Sequence, residues 1–327
     1  ITCRDWSSDV CSSDLIEPLF IEDDARPILV GERTNVIGSR KFKNMIVAGQ
    51  FEEAAEIARA QVKTGAQIID ICVANPDRDE LADMEQMLVY LPKKVRAPIM
   101  IDSTDAQVTE LALQRLQGKC VINSINLEDG EERFAKVAPL LRRYGGAVVV
   151  GCIDEDPQHG MAVTRSRKLE VAQRSYDLLV NKYGLRPEDL IFDPLVFPVG
   201  SGDASYIGSA VETIEGVRLI TEAFPRCSTI LGISNVSFGL PAAGREVLNA
   251  VFLYHCVKAG LGYAIVNTEK LERYASIPEE ERKLAEDLLF WRGDDPVAAF
   301  AAAFRDKKPV SHAPKAELPL DERLPLY

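Results

Sequence analysis

Several signatures of common protein classes are missing from this sequence of 327 residues. It contains no run of 18 apolar residues, so no transmembrane helix is expected. The seven cysteines include no CxxC pair, and their odd number favours a reducing cytoplasm over a disulfide framework. The first apolar run is not followed by a GxGxxG motif, so the best marker of a dinucleotide-binding fold is absent.

Positive charge is also scarce. The chain has 38 Lys and Arg against 50 Asp and Glu, which gives a formal net charge of −12. This balance argues against nucleic acid and against an anionic membrane surface as partners, because both need a basic patch. It is compatible with an enzyme that acts on a small molecule. Hydrophobic residues make up 46% of the chain, which is enough for a large core in a single α/β barrel.

The two ends of the chain differ in composition from the middle. Residues 1–15 are rich in Ser and Asp and lack the basic start and apolar stretch of a signal peptide. We expect a non-native or disordered arm there, with a short native arm as the alternative. Residues 307–326 hold four prolines among charges, a composition typical of an extended linker. The barrel domain is therefore expected over residues 16–292, and a C-terminal helix and Pro-rich linker over residues 293–327.

The middle of the chain alternates short β-branched runs with helical patterns. Strands are predicted at Ile28–Val30, Ile68–Ile71, Pro98–Asp102, Cys120–Ile125, Ala147–Cys152, Leu190–Asp193, Thr229–Ile233 and Tyr263–Val266. A segment with helical spacing of apolar residues follows each of them. Strand alternating with helix indicates parallel strands joined by right-handed crossovers. Eight such units at a period of roughly thirty residues predict a (β/α)8 TIM barrel.

Carboxylates and carboxamides follow the predicted strands, where TIM barrels build their active sites. The candidates are Glu32, Asn35, Asp70, Asp102, Asn123, Asn126, Asp154, Asp193, Asn235 and Asn267. The set contains no His or Lys, so it suits a flat heterocycle with N–H donors and ring acceptors better than a hydrolase triad or a Schiff-base enzyme. A single Asp or Asn after a strand is often only a helix cap or turn residue, but eight strands that end this way weaken that explanation.

No metal site is expected. Cys72, Cys120 and Cys152 belong to different predicted strands and lack the spacing of zinc ligands. Strand alternation that turns Asn123 into the barrel turns Cys120 outward. These cysteines are therefore interpreted as packing residues.

Five segments carry a resemblance to a known family. They are GERTNVIGSRKF (31–42), PIMIDST (98–104), INSIN (122–126), FDPLVFPVG (192–200) and ISNVSFG (233–239). Together they resemble the folate-binding domain of cobalamin-dependent methionine synthase and its relatives, the methyltetrahydrofolate:corrinoid methyltransferases, over roughly Pro27 to Glu272. The resemblance implies a pterin-binding TIM barrel that moves the N5-methyl group of methyltetrahydrofolate to a Co(I) corrinoid. Cobalamin would come from a separate domain or protein, and the tail after residue 292 is similar to the lead-in to such a module.

The resemblance also implies roles for four residues. Asp102, Asn123 and Asp193 match residues that hydrogen-bond the pyrimidine edge of the pterin. Asn235 matches the amide near N5, the atom that carries the methyl group. Asn235 and Asp193 are therefore the candidate catalytic residues, the first as an acceptor for protonated N5 and the second as the nearest acid.

Four further residues are implied around the rim. Glu32 and Asn35 match a loop at the barrel mouth. Asp70 is a weaker match, because the sequence that follows it, ICVANPDRDE, departs from the usual pattern. Arg245 is also a weak match, because the stretch after ISNVSFG is shorter than in the family.

Two other functions remain open. A dihydropteroate synthase-like enzyme would share the barrel and the pterin site, but it needs an Arg-His pair at strand eight, which here ends Ile265-Val266-Asn267. A non-catalytic folate-binding module would bind folate and turn over only if a corrinoid domain were supplied. A corrinoid protein added in trans would separate these functions.

Overall fold

The computed structural model describes residues 19, 21, 25–201 and 203–307, so the predicted arm at 1–15 and most of the Pro-rich tail lie outside the described residues. Eight parallel strands close into a barrel in sequential order, with β8 paired to β1. They are β1 Ile28–Gly31, β2 Ile68–Ile71, β3 Ile99–Asp102, β4 Val121–Leu127, β5 Ala147–Asp154, β6 Leu190–Asp193, β7 Ser228–Gly232 and β8 Tyr263–Val266. The predicted TIM barrel is confirmed.

Helices surround the barrel. They are α1 Arg40–Val47, α2 Phe51–Lys63, α3 Glu80–Lys94, α4 Ala106–Arg115, α5 Glu132–Tyr144, α6 Arg165–Tyr176, α7 Ser209–Ala223, α8 Ala242–Lys258, α9 Glu279–Leu289 and α10 Pro296–Phe304. Asp105 caps α4, as predicted, by accepting a hydrogen bond from the amide of Gln107. Helix α1 follows the loop after β1, where Ser39 caps it and Phe42 is buried.

The lower part of the barrel interior is apolar. Its buried side chains are Ile28, Val30, Ile68, Met100, Val121, Ala147, Val149, Ile191, Ile230 and Tyr263. The alternate residues of the same strands pack outward against the helices, and Cys120 belongs to this outer core, as predicted. The inward-facing series of each strand has one further position, two residues after its last residue in the apolar layer. These further positions lie at the C-terminal mouth of the barrel.

Helix α10 packs on the barrel helices. Phe300 and Phe304 are buried in the same core as residues of α8 and α9. Gly244 on α8 makes this approach possible, because a Cβ there would lie 2.7 Å from the Phe300 ring. Segment 293–327 therefore begins with a helix that contributes to the barrel core. None of the helices in the described ranges is long and apolar enough to cross a membrane.

Candidate functional site

Polar side chains form a ring directly above the apolar interior. The inward series of strand positions continues with Glu32 after β1, Asp70 on β2, Asp102 on β3, Asn123 on β4 and Asp193 on β6. We call these five residues the mouth ring. On β5 and β7 the corresponding positions are Gly151 and Gly232, so these two strands contribute no side chain to the ring. The mouth is therefore acidic.

The β1–β4 side of the mouth ring is held together by hydrogen bonds. The Asn35 amide donates to Asp102 Oδ2 (2.9 Å) and to Asp70 Oδ2 (3.3 Å). Asn123 donates to the other oxygen of Asp70 (3.3 Å). The Asn35 oxygen accepts the amides of Ile37 (2.9 Å) and Gly38 (3.2 Å), so the orientation of its amide group is fixed. These carboxylates are organised before any ligand binds.

A buried glutamine supports the loop that carries Asn35. Gln61 on α2 accepts the Arg33 amide (2.7 Å) and donates to the Thr34 hydroxyl (3.2 Å). That hydroxyl donates to the Asp70 carbonyl (2.5 Å), which joins the loop to β2. Gly31 is required here, because a Cβ at this position would lie 2.6 Å from the Gln61 side-chain oxygen.

Burial makes these carboxyl groups weak acids. It raises the pKa of Asp102 to about 6, although hydrogen bonds from Asn35 and the Cys72 thiol favour the ionised form. The pKa of Asp70 is raised well above its usual range, first by burial and then by the neighbouring Asp102 charge. Two carboxyl groups this close do not both ionise readily, and Asp102 is the more readily ionised of the two.

Asp193 stands apart from this network. One of its oxygens accepts the Leu195 amide (2.8 Å), and no donor to the other is found in the described part of the chain. Burial raises the pKa of Asp193 to about 6, while this hydrogen bond and the charge of Lys168 favour ionisation. One carboxylate oxygen is thus available to a ligand.

Asn235 lies against Gly232 at the end of β7. It belongs to a short 3₁₀ helix, Ile233–Ser237, directly after the strand. Its side chain is exposed and makes no hydrogen bond to the residues that the structure describes, although its backbone carbonyl accepts the Phe238 amide (3.3 Å). Its nitrogen would lie 3.0 Å from a Cβ at Gly232. The amide is therefore free to contact a ligand in the mouth.

Glu32 and Arg245 brace the same turn. Glu32 accepts the Ser234 hydroxyl (3.0 Å), which links the end of β1 to the end of β7. Arg245 on α8 donates to the Ser237 hydroxyl (3.1 Å) and to the Ser234 carbonyl (3.4 Å). Burial raises the pKa of Glu32, and the hydrogen bond from Ser234 opposes the rise. Arg245 thus has a structural role in shaping the rim.

Lys168 on α6 does not follow a strand and was not among the predicted site residues. Its side chain is fully buried next to Asp193, and it lies on the helix face that also buries Val171, Ala172 and Ser175. The sequence does contain a signal for its burial, because Lys168 stands at position i of the i, i+3, i+4 and i+7 spacing that marks the buried face of a helix. Asp154, the last residue of β5, forms an ion pair with Arg167 (2.6 Å), so it is less available to a ligand than Asp193.

The buried cysteines have the properties of packing residues. Burial raises the pKa of the Cys120 and Cys152 thiols to about 12 and that of Cys72 still further, so all three are neutral near pH 7. Across residues 25–201 and 203–307, no group of three or more His, Cys, Asp or Glu is arranged to hold a metal ion.

Comparison with known proteins points to pterin chemistry. Residues 31–267 match the family described as pterin binding enzyme. Methionine synthase of Mycobacterium tuberculosis is 37% identical over 98% of this chain and 28% of its own length. Methionine synthase of Mycobacterium leprae is 38% identical over 91% of this chain and 25% of its own. The chain thus spans about a quarter of the length of these relatives.

Solved structures of dihydropteroate synthases share the fold. The enzyme from Xanthomonas albilineans in complex with 7,8-dihydropteroate superposes with a TM-score of 0.55 at 16% identity, over 81% of this chain and 94% of that one. The enzyme from Coxiella burnetii in complex with pteroic acid gives a TM-score of 0.53 at 17% identity, over 85% and 98%. At this identity the likeness concerns the barrel architecture alone.

Proposed function

The chain belongs to the pterin binding enzyme family, and from that premise we propose that it transfers the N5-methyl group of methyltetrahydrofolate to a Co(I) corrinoid carried by a separate domain or protein. The observation that carries the proposal is the mouth ring together with the exposed amide of Asn235. The similarity to two methionine synthases supports the choice of this reaction within the family.

The mouth ring fits a flat pterin. The pyrimidine edge of a pterin presents adjacent N–H donors, which a carboxylate accepts in charge-assisted hydrogen bonds. Asp193 has one carboxylate oxygen without a donor among the described residues. Asp102 and Asn123 are neighbours in the strand register, so a carboxylate acceptor lies next to an amide that can donate and accept.

The chemistry depends on the leaving group. A methyl group on a tertiary amine is a poor electrophile until N5 is protonated or hydrogen-bonded. The Asn235 oxygen can accept a hydrogen bond from protonated N5 and so stabilise the activated form. Asp193, whose pKa is about 6, is ionised in most molecules at pH 7. We therefore assign it first to pterin binding, and to proton delivery only as a relay that exchanges protons with solvent.

The acceptor approaches from outside the barrel. A Co(I) corrinoid supplies the nucleophile, to which the methyl carbon passes by in-line displacement, so no protein nucleophile is required. Large apolar side chains are exposed on loops around the mouth, namely Ile37 (81% exposed), Met161 (53%), Ile207 (49%) and Phe238 (67%). Exposed apolar side chains grouped on one face are typical of a surface that binds a partner, here the corrinoid carrier.

Single-turnover transfer tests the proposal. The chain and methyltetrahydrofolate are mixed anaerobically with a Co(I) corrinoid protein, and the Co(I) absorbance is followed. We expect a decay that requires both the chain and the methylated folate, with tetrahydrofolate as the inactive control. Folate binding without decay would instead indicate a non-catalytic module. Condensation of a dihydropterin pyrophosphate with p-aminobenzoate would indicate a dihydropteroate synthase-like enzyme.

A further inference from the structure

One lysine is buried beneath the loop that follows Asp193. Lys168 is the only lysine among the described residues whose whole side chain is buried. Its ammonium group donates to the carbonyls of Ala162 (2.8 Å), Pro194 and Leu195 (3.4 Å). Burying a charge is costly unless hydrogen bonds compensate for lost water, so these three carbonyls determine where the ammonium lies.

The neighbouring helix is shaped around this side chain. Gly216 on α7 faces the lysine stem, and a Cβ there would lie 2.7 Å from Lys168 Cδ. The ammonium also lies 5.1 Å from the centre of the Phe197 ring, in cation–π contact. Thr213 on α7 donates to the Leu195 carbonyl (2.9 Å), an acceptor that it shares with Lys168. Two helices therefore converge on the backbone directly after Asp193.

The backbone held in this way is not one that the sequence favours locally. Leu195 has a φ of 65°, in the left-handed region that residues with a Cβ rarely occupy. Such a conformation persists only where surrounding contacts enforce it. In this conformation the Leu195 amide donates to Asp193 Oδ1 at 2.8 Å. The contacts that hold Leu195 therefore also orient the carboxylate.

We propose that Lys168 is a positioning residue for Asp193. Through the Pro194 and Leu195 carbonyls it holds the turn whose amide fixes one carboxylate oxygen, and its charge favours the ionised carboxylate that a pterin edge needs. The inference rests on the proposed function, in which Asp193 binds the pterin.

The other groups that face Lys168 are already accounted for. They are Cys152 on β5 and Glu212 on α7, besides Asp193 on β6. The Cys152 thiol is neutral because burial raises its pKa to about 12, and Glu212 is paired with Arg165 (2.7 Å). Burial lowers the pKa of Lys168 to about 8, so the lysine is mostly charged at pH 7. Asp193 is therefore the group whose ionisation should respond to its removal.

The pH dependence of folate binding tests this role. Calorimetric titration with methyltetrahydrofolate from pH 5 to pH 8 is carried out on the wild type and on Lys168→Met. We expect the acid limb of the affinity profile to move up by about one pH unit, which weakens binding about tenfold near pH 5, about fivefold near pH 6 and hardly at all near pH 8. Gly216→Ala keeps the lysine but displaces its stem, and alanine favours helix α7, so a smaller shift in the same direction is expected without loss of the fold.

A second lysine provides the matched control. Lys119 pairs with the buried Asp189 at the opposite end of the barrel, so Lys119→Met should lower stability and leave the pH profile unchanged. If the wild type binds the folate while Lys168→Met and Gly216→Ala both keep the wild-type acid limb, the positioning role is wrong. If Lys168→Met does not fold, Gly216→Ala decides. If the wild type itself does not bind, the proposed function fails first.

Discussion

The two sides of the barrel mouth are built differently. On the β1–β4 side, Asp70 and Asp102 are tied together through Asn35 and Asn123. On the β5–β8 side, two strands have glycine at the inward position. The polar groups there are Asp193, with one oxygen in use, and the amide of Asn235, which has no hydrogen-bond partner among the described residues. The first side is organised before a ligand arrives, whereas the second has polar atoms that no described residue engages. We therefore propose that the first side orients the pterin and that the reaction takes place on the second.

Asn235→Ala should produce the largest effect, and it should affect the rate. In the ground state N5 is mostly unprotonated and gains little from the amide, whereas the departing N5 donates a charge-assisted bond to it. Removal of this acceptor should cost on the order of 2–4 kcal/mol in the barrier to methyl transfer. Single-turnover transfer, measured beside equilibrium folate binding on the same variant, checks this.

The structure argues against a purely structural role for the Asn235 side chain in its turn. The 3₁₀ turn uses the Asn235 backbone carbonyl, which alanine retains, and the side chain makes no hydrogen bond to any residue that the structure describes. A loss confined to binding, with the rate constant at saturation intact, would contradict the assignment.

Asp193→Ala should weaken binding more than any change on the β1–β4 side. The Asp193 oxygen that is not engaged by the Leu195 amide can accept an N–H of the pterin in a charge-assisted bond of about 1.5–3 kcal/mol. Its loss should raise the Kd for methyltetrahydrofolate by roughly ten- to a hundredfold. Asp189→Asn is the matched control, because this carboxylate lies just before the same strand at the opposite end of the barrel and is paired with Lys119. An unchanged Kd for Asp193→Ala would remove Asp193 from the site.

How far the sequence could predict this site depends on the kind of signal. The strands β2, β6 and β8 have the predicted limits, because each is a short apolar run with clear neighbours on both sides. The mouth ring followed from strand alternation and from the rule that barrels place function at strand ends. Lys168 was not predictable in this way, because its burial depends on packing between elements distant in sequence.

Acid should weaken folate binding through Asp193. Its pKa of about 6 means that the ionised fraction falls by about tenfold between pH 7 and pH 5, and the apparent affinity should fall with it. Asp193→Asn lacks this titration, so the ratio of wild-type to variant affinity isolates the effect. A constant ratio between pH 7 and pH 5 would show that Asp193 does not bind the ligand in its ionised form.

The same group should have the opposite effect on stability, and this is the smallest effect expected. Because burial raises the pKa of Asp193 from 3.8 to about 6, the folded chain binds protons more tightly than the unfolded chain. The resulting stabilisation is complete below the unfolded pKa and is lost as the pH rises through about 6. Relative to Asp193→Asn, the free energy of unfolding should rise by on the order of 1 kcal/mol from pH 7 to pH 5. Urea titrations of both proteins at the two pH values measure the difference.

Recognition of a methylated reduced folate by the mouth ring can be measured by calorimetric titration of the wild-type chain. Methyltetrahydrofolate and a dihydropterin pyrophosphate are compared after dialysis against a chelator. Asp102 and Asp193, whose pKa values of about 6 leave them mostly ionised at pH 7, disfavour a pyrophosphate at the mouth. We predict that methyltetrahydrofolate binds without metal and more tightly than the pyrophosphate. No binding of methyltetrahydrofolate, or preferred binding of the pyrophosphate, would contradict the account.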